Sequence, residues 1–310
     1  MIRLTNILVP VDFSHTSEKA VNYGLSLALQ FRAHLVLAHI IPTIEALNYA
    51  FTDDTYHLEK RAISESQERL PQQVPAEYRE RVKLRSIVKA GDVRDDLIGI
   101  LNEEKIDFVV MGTHGRRNIE RFFLGSTTET MLRKVTAPIL TISRVDPDKE
   151  IHIPGPVHIR RIVYAADNSE TAQIGLHYST ELARTFGSDL VLLHVMDRLE
   201  LWGSELEGHL PDDITRVREI AADRLRLLVE SERAADVRIE TAIVEGVPYQ
   251  EIVKVAENTK ADLLVLNVQS KGFLERAMLG ATAERVIRSA QVPVLSIPTA
   301  TADSFITAER

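Results

Sequence analysis

The chain repeats itself at a constant offset of 155 residues, so that segment 6–40 aligns with segment 161–195 without a gap. The offset keeps identical residues in register along both halves: Asp12 with Asp167, His39 with His194, Gly91 with Gly246, Asp107 with Asp262, and Pro138 with Pro293. Chance similarity does not hold one register over so long a span. The 310 residues therefore consist of two copies of one domain of ordinary size.

A segment rich in proline joins the two copies. Residues 144–158 carry four residues that disfavour regular structure: Pro147, Pro154, Gly155 and Pro156. Proline lacks a backbone donor and glycine tolerates unusual backbone angles, which is typical of a linker. We therefore predict four parts of the chain: a first domain at 1–148, a linker at 149–158, a second domain at 159–300 and a tail at 301–310.

Each copy alternates short apolar runs with stretches of helical spacing. In the first copy the apolar runs predict five strands, at 6–11, 34–40, 82–89, 106–112 and 137–142. The stretches between them predict helices, at 17–32, 53–70, 92–104 and 125–136. Strands that are mostly apolar on both faces, separated by helices, indicate a parallel sheet covered on both sides. The predicted fold class is α/β, with two tandem doubly wound domains of five parallel strands each.

Composition excludes several kinds of chemistry. The chain has no cysteine, so disulfides, thiol catalysis and cysteine-ligated metals are ruled out. Its 37 basic residues face 45 acidic ones, a balance that disfavours nucleic acid and anionic membranes as partners. No apolar stretch reaches the ~18 residues of a membrane span, and the N-terminus lacks the pattern of a signal peptide. We therefore expect a cytoplasmic protein.

Segment 111–127 has the features of an anion-binding loop. Gly112 and Gly115 follow the fourth predicted strand, and Gly125 begins a predicted helix. Glycines let backbone amides approach a phosphate, and a helix N-terminus offers unsatisfied N–H groups and a favourable dipole. The hydroxyls of Ser126 and Thr127 and the nearby cation of Arg116 can contribute as well. The alternative is that each glycine only turns the chain and that Ser126 only caps the helix.

The pattern Gly-x2-Gly-x9-Gly-Ser resembles the ATP-binding signature of the universal stress protein family. Four segments carry the resemblance: VPVDFS at 9–14, LAHI at 37–40, MGTHGR at 111–116 and LGSTTE at 124–129. The resemblance covers both copies. It implies a Rossmann-like fold, similar to that of the adenine nucleotide alpha hydrolases. It also implies that the copies pack as an intramolecular pseudo-dimer through their last strands, and it leaves open a homodimer of whole chains.

The resemblance also implies a role for individual residues. The implied ATP-binding residues run from the base through the ribose to the phosphates: Pro10, Asp12 and Ile40; Met111, Gly112, Gly115 and Arg116; Gly125, Ser126 and Thr127. Asp12 has an alternative role as a helix cap or turn residue. Because no dedicated carboxylate cluster is visible in the sequence, a Mg²⁺ ion would be held by the phosphates rather than by the protein.

The second copy has lost much of this signature. At the offset, Asn267, Ser270 and Ala281 stand in place of Gly112, Gly115 and Ser126, and Ala165 and Gln269 stand in place of Pro10 and His114. Residues 1–150 carry 20 basic and 21 acidic residues, a net charge of −1, whereas residues 151–310 carry 17 and 24, a net charge of −7. A more acidic domain is a poorer host for a triphosphate. We predict weak or no nucleotide binding by the second copy.

The sequence contains no strong catalytic set. A P-loop motif is absent. His114, in the phosphate loop, either acts as a base or contacts phosphate, or it is a loop residue facing solvent. We expect a regulatory protein of the stress response that binds ATP, hydrolyses it little, and acts through a protein partner that the sequence does not identify. Two alternatives stay open: an interaction scaffold that binds no nucleotide, and a slow ATPase that acts as a timer.

Overall fold

A computed structural model describes most of both copies. The described residues are 2–43, 53–113, 124–143, 157–167, 169, 171–197, 212–232, 234, 236–268 and 279–299, with the backbone alone at 53–56 and 212–214. The chain divides into two compact units, of which the first consists of Arg3–Val157 and the second contains the chain from His158 onward. Among the helices in these ranges, none is both long enough and apolar enough to span a membrane.

The first unit contains a parallel sheet. Its strands, in chain order, are β1 (Asn6–Pro10), β2 (His34–Pro42), β3 (Lys83–Gly91), β4 (Phe108–Gly112) and β5 (Ile139–Ile142). They lie in the order β3-β2-β1-β4-β5, and each neighbouring pair is parallel. Ile7 on β1 lies opposite Leu35 on one side and Phe108 on the other. The chain therefore builds the sheet outward from β1 in one direction and then, from β4, in the other.

Helices connect these strands where the spacing predicted them. They are α1 (His15–Phe31), α2 (Asp53–Arg69), α3 (Ala76–Arg79), α4 (Val93–Glu103) and α5 (Ser126–Lys134). The sequence did not predict α3 or the short 3-10 helix at Pro71–Gln73, because elements of three or four residues are too short to show a period. The α/β class and the parallel arrangement of the strands are confirmed.

The second unit repeats this architecture. Its strands are β6 (Arg161–Ala165), β7 (Asp189–Met196), β8 (Ile239–Glu245), β9 (Leu263–Val268) and β10 (Val294–Pro298). Within the unit they follow the order β10-β9-β6-β7-β8, and all neighbours are parallel. Its helices are α6 (Ala172–Phe186), α7 (Asp212–Glu232), α8 (Pro248–Asn258) and α9 (Ala281–Ser289).

The core of each unit lies on both faces of its central strands. Leu8, Val9, Val109 and Val110 in the first unit have no solvent exposure, and these neighbouring residues point to alternate faces of the sheet. Apolar side chains are therefore needed at consecutive positions, which explains the unbroken apolar runs. β3 lies at an edge of its unit's sheet, and its residues are exposed or half-buried.

The repeated aspartate pair has a structural role. The Asp107 carboxylate accepts hydrogen bonds from the N–H of Thr5 at 2.8 Å and of Asn6 at 3.1 Å, and the Thr5 hydroxyl also donates to it. Asp262 accepts from the N–H of Arg160 at 2.8 Å and of Arg161 at 3.0 Å. In both units this aspartate fixes the beginning of the first strand against the beginning of the fourth.

We expect Asp107→Ala to lower the free energy of unfolding by about 1–3 kcal/mol, because hydrogen bonds to a charged acceptor contribute this much. Chemical denaturation followed by circular dichroism measures the change. Glu65→Ala is the control: it removes an exposed pair with Arg61, which is worth about half a kcal/mol or less. Equal losses in the two variants would show that the Asp107 contacts contribute no more than an exposed ion pair.

Candidate functional site

The candidate site lies where the strand order of the first unit reverses. β1 and β4 are neighbours there, and the chain leaves them toward opposite edges of the sheet. In open parallel sheets this switch point forms a crevice at the carboxyl ends of the strands. The predicted residues of strands one, two and four lie at this end: Pro10 and Asp12 at β1, Ile40 near the end of β2, and Met111 and Gly112 at β4.

Asp12 lies in the turn that leads from β1 into α1. Its Oδ1 accepts the N–H of Ser14 at 3.0 Å, and Ser14 in turn caps α1 by accepting the N–H of Ser17 at 3.2 Å. Ser14 is therefore the N-cap of α1. Asp12 does have the turn role that the sequence allowed, and its half-buried side chain remains at the edge of the crevice.

His39 supports the same turn from β2. Its Nδ1 lies 2.6 Å from the carbonyl oxygen of Val11, the residue before Asp12. Because a carbonyl only accepts, Nδ1 carries the proton in this contact. The second unit repeats the contact between His194 and the Ala166 carbonyl at 3.3 Å. The histidine that the repeat retains therefore ties the end of the first strand to the second.

The two ends of the predicted phosphate loop meet at β4. The N–H of Gly125 donates to the Thr113 carbonyl at 2.9 Å, and the Thr113 N–H donates to the Ile142 carbonyl at 3.0 Å. The buried Thr128 hydroxyl donates to the Gly112 carbonyl at 2.9 Å. These contacts place the beginning of α5 at the carboxyl end of β4. Residues 114–123 between the two ends, which include the predicted residues Gly115 and Arg116 and the histidine His114, lie outside the described residues.

The N-terminus of α5 has the chemistry of an anion site. Its N-cap is Gly125, which has no side chain to accept from the first-turn N–H groups. The first hydrogen bond within the helix runs from the Glu129 N–H to the Gly125 carbonyl at 2.9 Å. The side chain of Ser126 is exposed and that of Thr127 is half-buried. Within the part of the chain that the structure describes, the first-turn N–H groups and the two hydroxyls have no other acceptor, and with the helix dipole they suit a phosphate.

Gly112 is a glycine for a reason that the sequence did not reveal. A Cβ at this position would lie 2.7 Å from Cγ2 of Thr16 and 3.2 Å from its Cβ. The first turn of α1 thus packs directly on the end of β4, and only glycine permits this distance. Gly112 is required by helix packing beside the crevice, in addition to any contact with a nucleotide.

In the second unit, two polar side chains lie between the end of β9 and the beginning of α6. Asn267, at the position of Gly112, donates from Nδ2 to the Thr171 carbonyl at 2.6 Å. Tyr164, which is fully buried, donates to the Ala172 carbonyl at 2.8 Å. A Cβ on Gly175 would collide with both side chains, so this glycine makes room for them. α6 begins at Ala172, two residues later in the repeat than α1 does.

Burial raises the pKa of the Tyr164 phenol far above its ordinary value, and the nearby charge of Asp167 adds to this rise, while a hydrogen bond with Asn267 opposes it. The phenol therefore stays neutral and remains a donor throughout the physiological range. Oδ1 of Asn267 is buried and has no hydrogen-bond partner among the described residues. Tyr164 and Asn267 together therefore form a buried polar pair below the first turn of α6.

The beginning of α9 retains part of the anion site. Gly280 is its N-cap. Like Gly125 in the first unit, it has no side chain that could cap the helix. Ala281 replaces Ser126, so one hydroxyl donor is missing. Ser270, at the position of Gly115, lies outside the described residues.

Sequence reasoning missed the packing role of Thr16 and three further residues near the first site: Phe13, Thr113 and Thr128. Thr16 gave a signal, because the offset repeats it as Thr171. The other three have no identical counterpart in the second copy, and their contacts cross between elements that the sequence separates.

Comparison with known proteins agrees with this architecture. The model of the universal stress protein family matches the chain twice, at residues 4–143 and 158–298. The chain belongs to the universal stress protein family. A universal stress protein of Methanocaldococcus jannaschii is 33% identical over 138 residues, which are 44% of this chain and 81% of that one.

Relatives with two domains exist as well. A universal stress protein of Mycobacterium tuberculosis is 25% identical over 296 residues, which cover 93% of this chain and 95% of that one. The crystal structure of a universal stress protein from Archaeoglobus fulgidus superposes with a TM-score of 0.70 at 22% identity, covering 96% of this chain and all of that one. The tandem universal stress protein fold is therefore shared over nearly the whole chain.

Proposed function

We propose that the protein is an ATP-binding regulatory protein of the stress response and that its first unit holds the nucleotide. The observation that carries the proposal is the uncapped N-terminus of α5, which the bond from Gly125 to Thr113 places at the switch point of the sheet. Membership of the universal stress protein family supports it, because the signature in this unit resembles that of ATP-binding members.

In this proposal the nucleotide lies along the carboxyl ends of the strands. The base and ribose lie beside Pro10 and Asp12 at β1 and contact the backbone of Ile40 on β2. The ribose and phosphates then pass Met111, Gly112, Gly115 and Arg116, and the phosphates end at Gly125, Ser126 and Thr127. The donors described at α5 are backbone N–H groups and hydroxyls, which suit a polyanion.

Mg²⁺ enters with the phosphates in this proposal. The described residues contain no group of three or more histidine, aspartate or glutamate side chains that could hold a metal ion. The ion would therefore take its ligands from phosphate oxygens and water, which Mg²⁺ accepts readily. Nucleotide occupancy of the first unit then changes the binding of a protein partner.

Mass spectrometry of nucleotide released from the protein as purified tests the proposal directly. We expect adenine nucleotide, predominantly ATP, at a fixed ratio to protein. Single-turnover incubation with ATP and Mg²⁺ then separates binding from hydrolysis: a regulatory binder releases ATP unchanged, whereas a timer releases ADP. A purified protein that carries no nucleotide and gives no heat with ATP would favour the scaffold instead.

We expect Ser126→Ala to weaken ATP binding by about ten- to one-hundred-fold, because a hydroxyl that donates to a charged phosphate contributes about 1.5–3 kcal/mol. Isothermal titration calorimetry measures the affinity. Thr282→Ala is the control, since Thr282 is the second residue of α9, the position that Thr127 has in α5. A loss of affinity in the control that equals the loss in Ser126→Ala would place the phosphates elsewhere.

A further inference from the structure

A stack of three side chains lies at the carboxyl ends of β1 and β2. The guanidinium carbon of Arg69 lies 4.2 Å from the centre of the Phe13 ring. The Phe13 ring centre lies 4.6 Å from that of His39, with the two planes inclined at 51°. His39 in turn contacts the Val11 carbonyl. The stack therefore joins the last turn of α2 to the residues on both sides of Asp12.

Phe13 has a backbone conformation that needs support. Its φ is 60°, in the left-handed region that large side chains rarely adopt. Across Phe13, the Ser14 N–H donates to Oδ1 of Asp12, and Ser14 then caps α1. The left-handed residue thus turns the chain from β1 into the helix. If Phe13 relaxed, the Asp12 carboxylate and the beginning of α1 would both move.

The cation lies on the face of the ring where it can resist this relaxation. Arg69 is the last residue of α2, and its attraction to the ring face presses the ring against His39. In the second copy the offset retains the histidine and the arginine, as His194 and Arg224, but replaces Phe13 with Asn168. The second copy therefore has no aromatic ring at this position.

We propose that Arg69 is a positioning residue for the nucleotide site: through the Phe13 ring it holds the turn at residues 11–14 in the conformation that directs Asp12 to the crevice. The nucleotide part of this inference rests on the proposed function. The hold on the turn is a property of the protein without ligand. The two parts therefore need separate measurements.

Hydrogen–deuterium exchange of the full-length, nucleotide-free protein tests the hold on the turn. We expect Arg69→Ala to increase the exchange rate of the peptide that covers residues 11–17 by about two- to five-fold, the equivalent of one exposed cation–π pair. Arg69→Lys should restore protection, because it keeps a cation over the ring. Phe13→Leu should match Arg69→Ala, which excludes an effect of charge at the end of α2 alone. Arg61→Ala, on the same helix and paired with Glu65, should exchange as the wild type does.

Calorimetry with ATP on the same variants tests the positioning. Arg69→Ala and Phe13→Leu should weaken binding by about two- to five-fold, and Arg69→Lys should recover it. Unchanged exchange at residues 11–17 in Arg69→Ala overturns the hold on the turn. Faster exchange with unchanged ATP affinity overturns the positioning role. Faster exchange in a protein whose wild type binds no ATP supports the hold on the turn and overturns the proposed function instead.

Discussion

Calorimetric titration of the nucleotide-free protein with ATP is expected to give one bound nucleotide per chain. The first unit offers Gly112 at β4 and an uncapped α5 beginning with Ser126. The second unit has Asn267 and buried Tyr164 in the space below the first turn of α6. Breaking the hydrogen bonds of Asn267 and Tyr164 would leave buried polar groups unpaired, which costs about 1–3 kcal/mol for each group. A nucleotide therefore has little to gain by entering the second unit.

Two variants show which unit holds the nucleotide. Gly112→Asn introduces the residue that the second unit has at this position. It should abolish detectable ATP binding in the titration. Asn267→Ala should leave the stoichiometry at one, because Tyr164 stays in place and Ala281 still lacks the hydroxyl. A stoichiometry near two in the wild type would contradict the prediction, as would one site that Asn267→Ala removes and Gly112→Asn leaves intact.

Sequence alone predicted the fold well because the fold depends on patterns that repeat. The 155-residue offset gave the two copies, and apolar runs gave the strands, since consecutive residues such as Leu8 and Val9 are buried on opposite faces. Residues that disfavour helix predicted where helices end: Pro71 marks the end of α2, which ends at Arg69. The short α3 escaped because four residues contain no period.

The site was less predictable because its geometry depends on contacts between distant residues. Gly112 approaches Thr16, which is 96 positions earlier, and no local pattern marks that approach. The exchange of Gly112 for Asn267 is visible in the sequence, but its compensation by Gly175 is visible only in space. The nucleotide-binding roles of all the predicted site residues, Gly115 and Arg116 among them, stay predictions from the family resemblance.

Among substitutions that add a single methyl group to the first unit's site, Gly112→Ala is expected to lower stability and ATP affinity the most. The new Cβ would lie 2.7 Å from the Thr16 methyl carbon, in a place where neither β4 nor the buried first turn of α1 can move freely. Overpacking of this kind costs about 1–3 kcal/mol. If the strain is relieved by displacing α1, the Asp12 turn moves with it. We expect thermal stability to fall and ATP affinity to drop by about ten- to one-hundred-fold.

Two further variants make the steric cause testable. Thr16→Ser removes the methyl group but keeps the hydroxyl, so adding it to Gly112→Ala should recover part of both the stability and the affinity, with 3.2 Å left between the two Cβ atoms. Gly99→Ala on α4 is the control, since its Cβ would meet nothing closer than a Glu103 carboxylate oxygen at 3.8 Å. It should raise stability by up to about 1 kcal/mol, as alanine does inside a helix, and leave ATP binding unchanged. If Thr16→Ser recovers nothing, the contact between α1 and β4 is not what requires glycine at position 112, and the nucleotide itself becomes the remaining explanation for this residue.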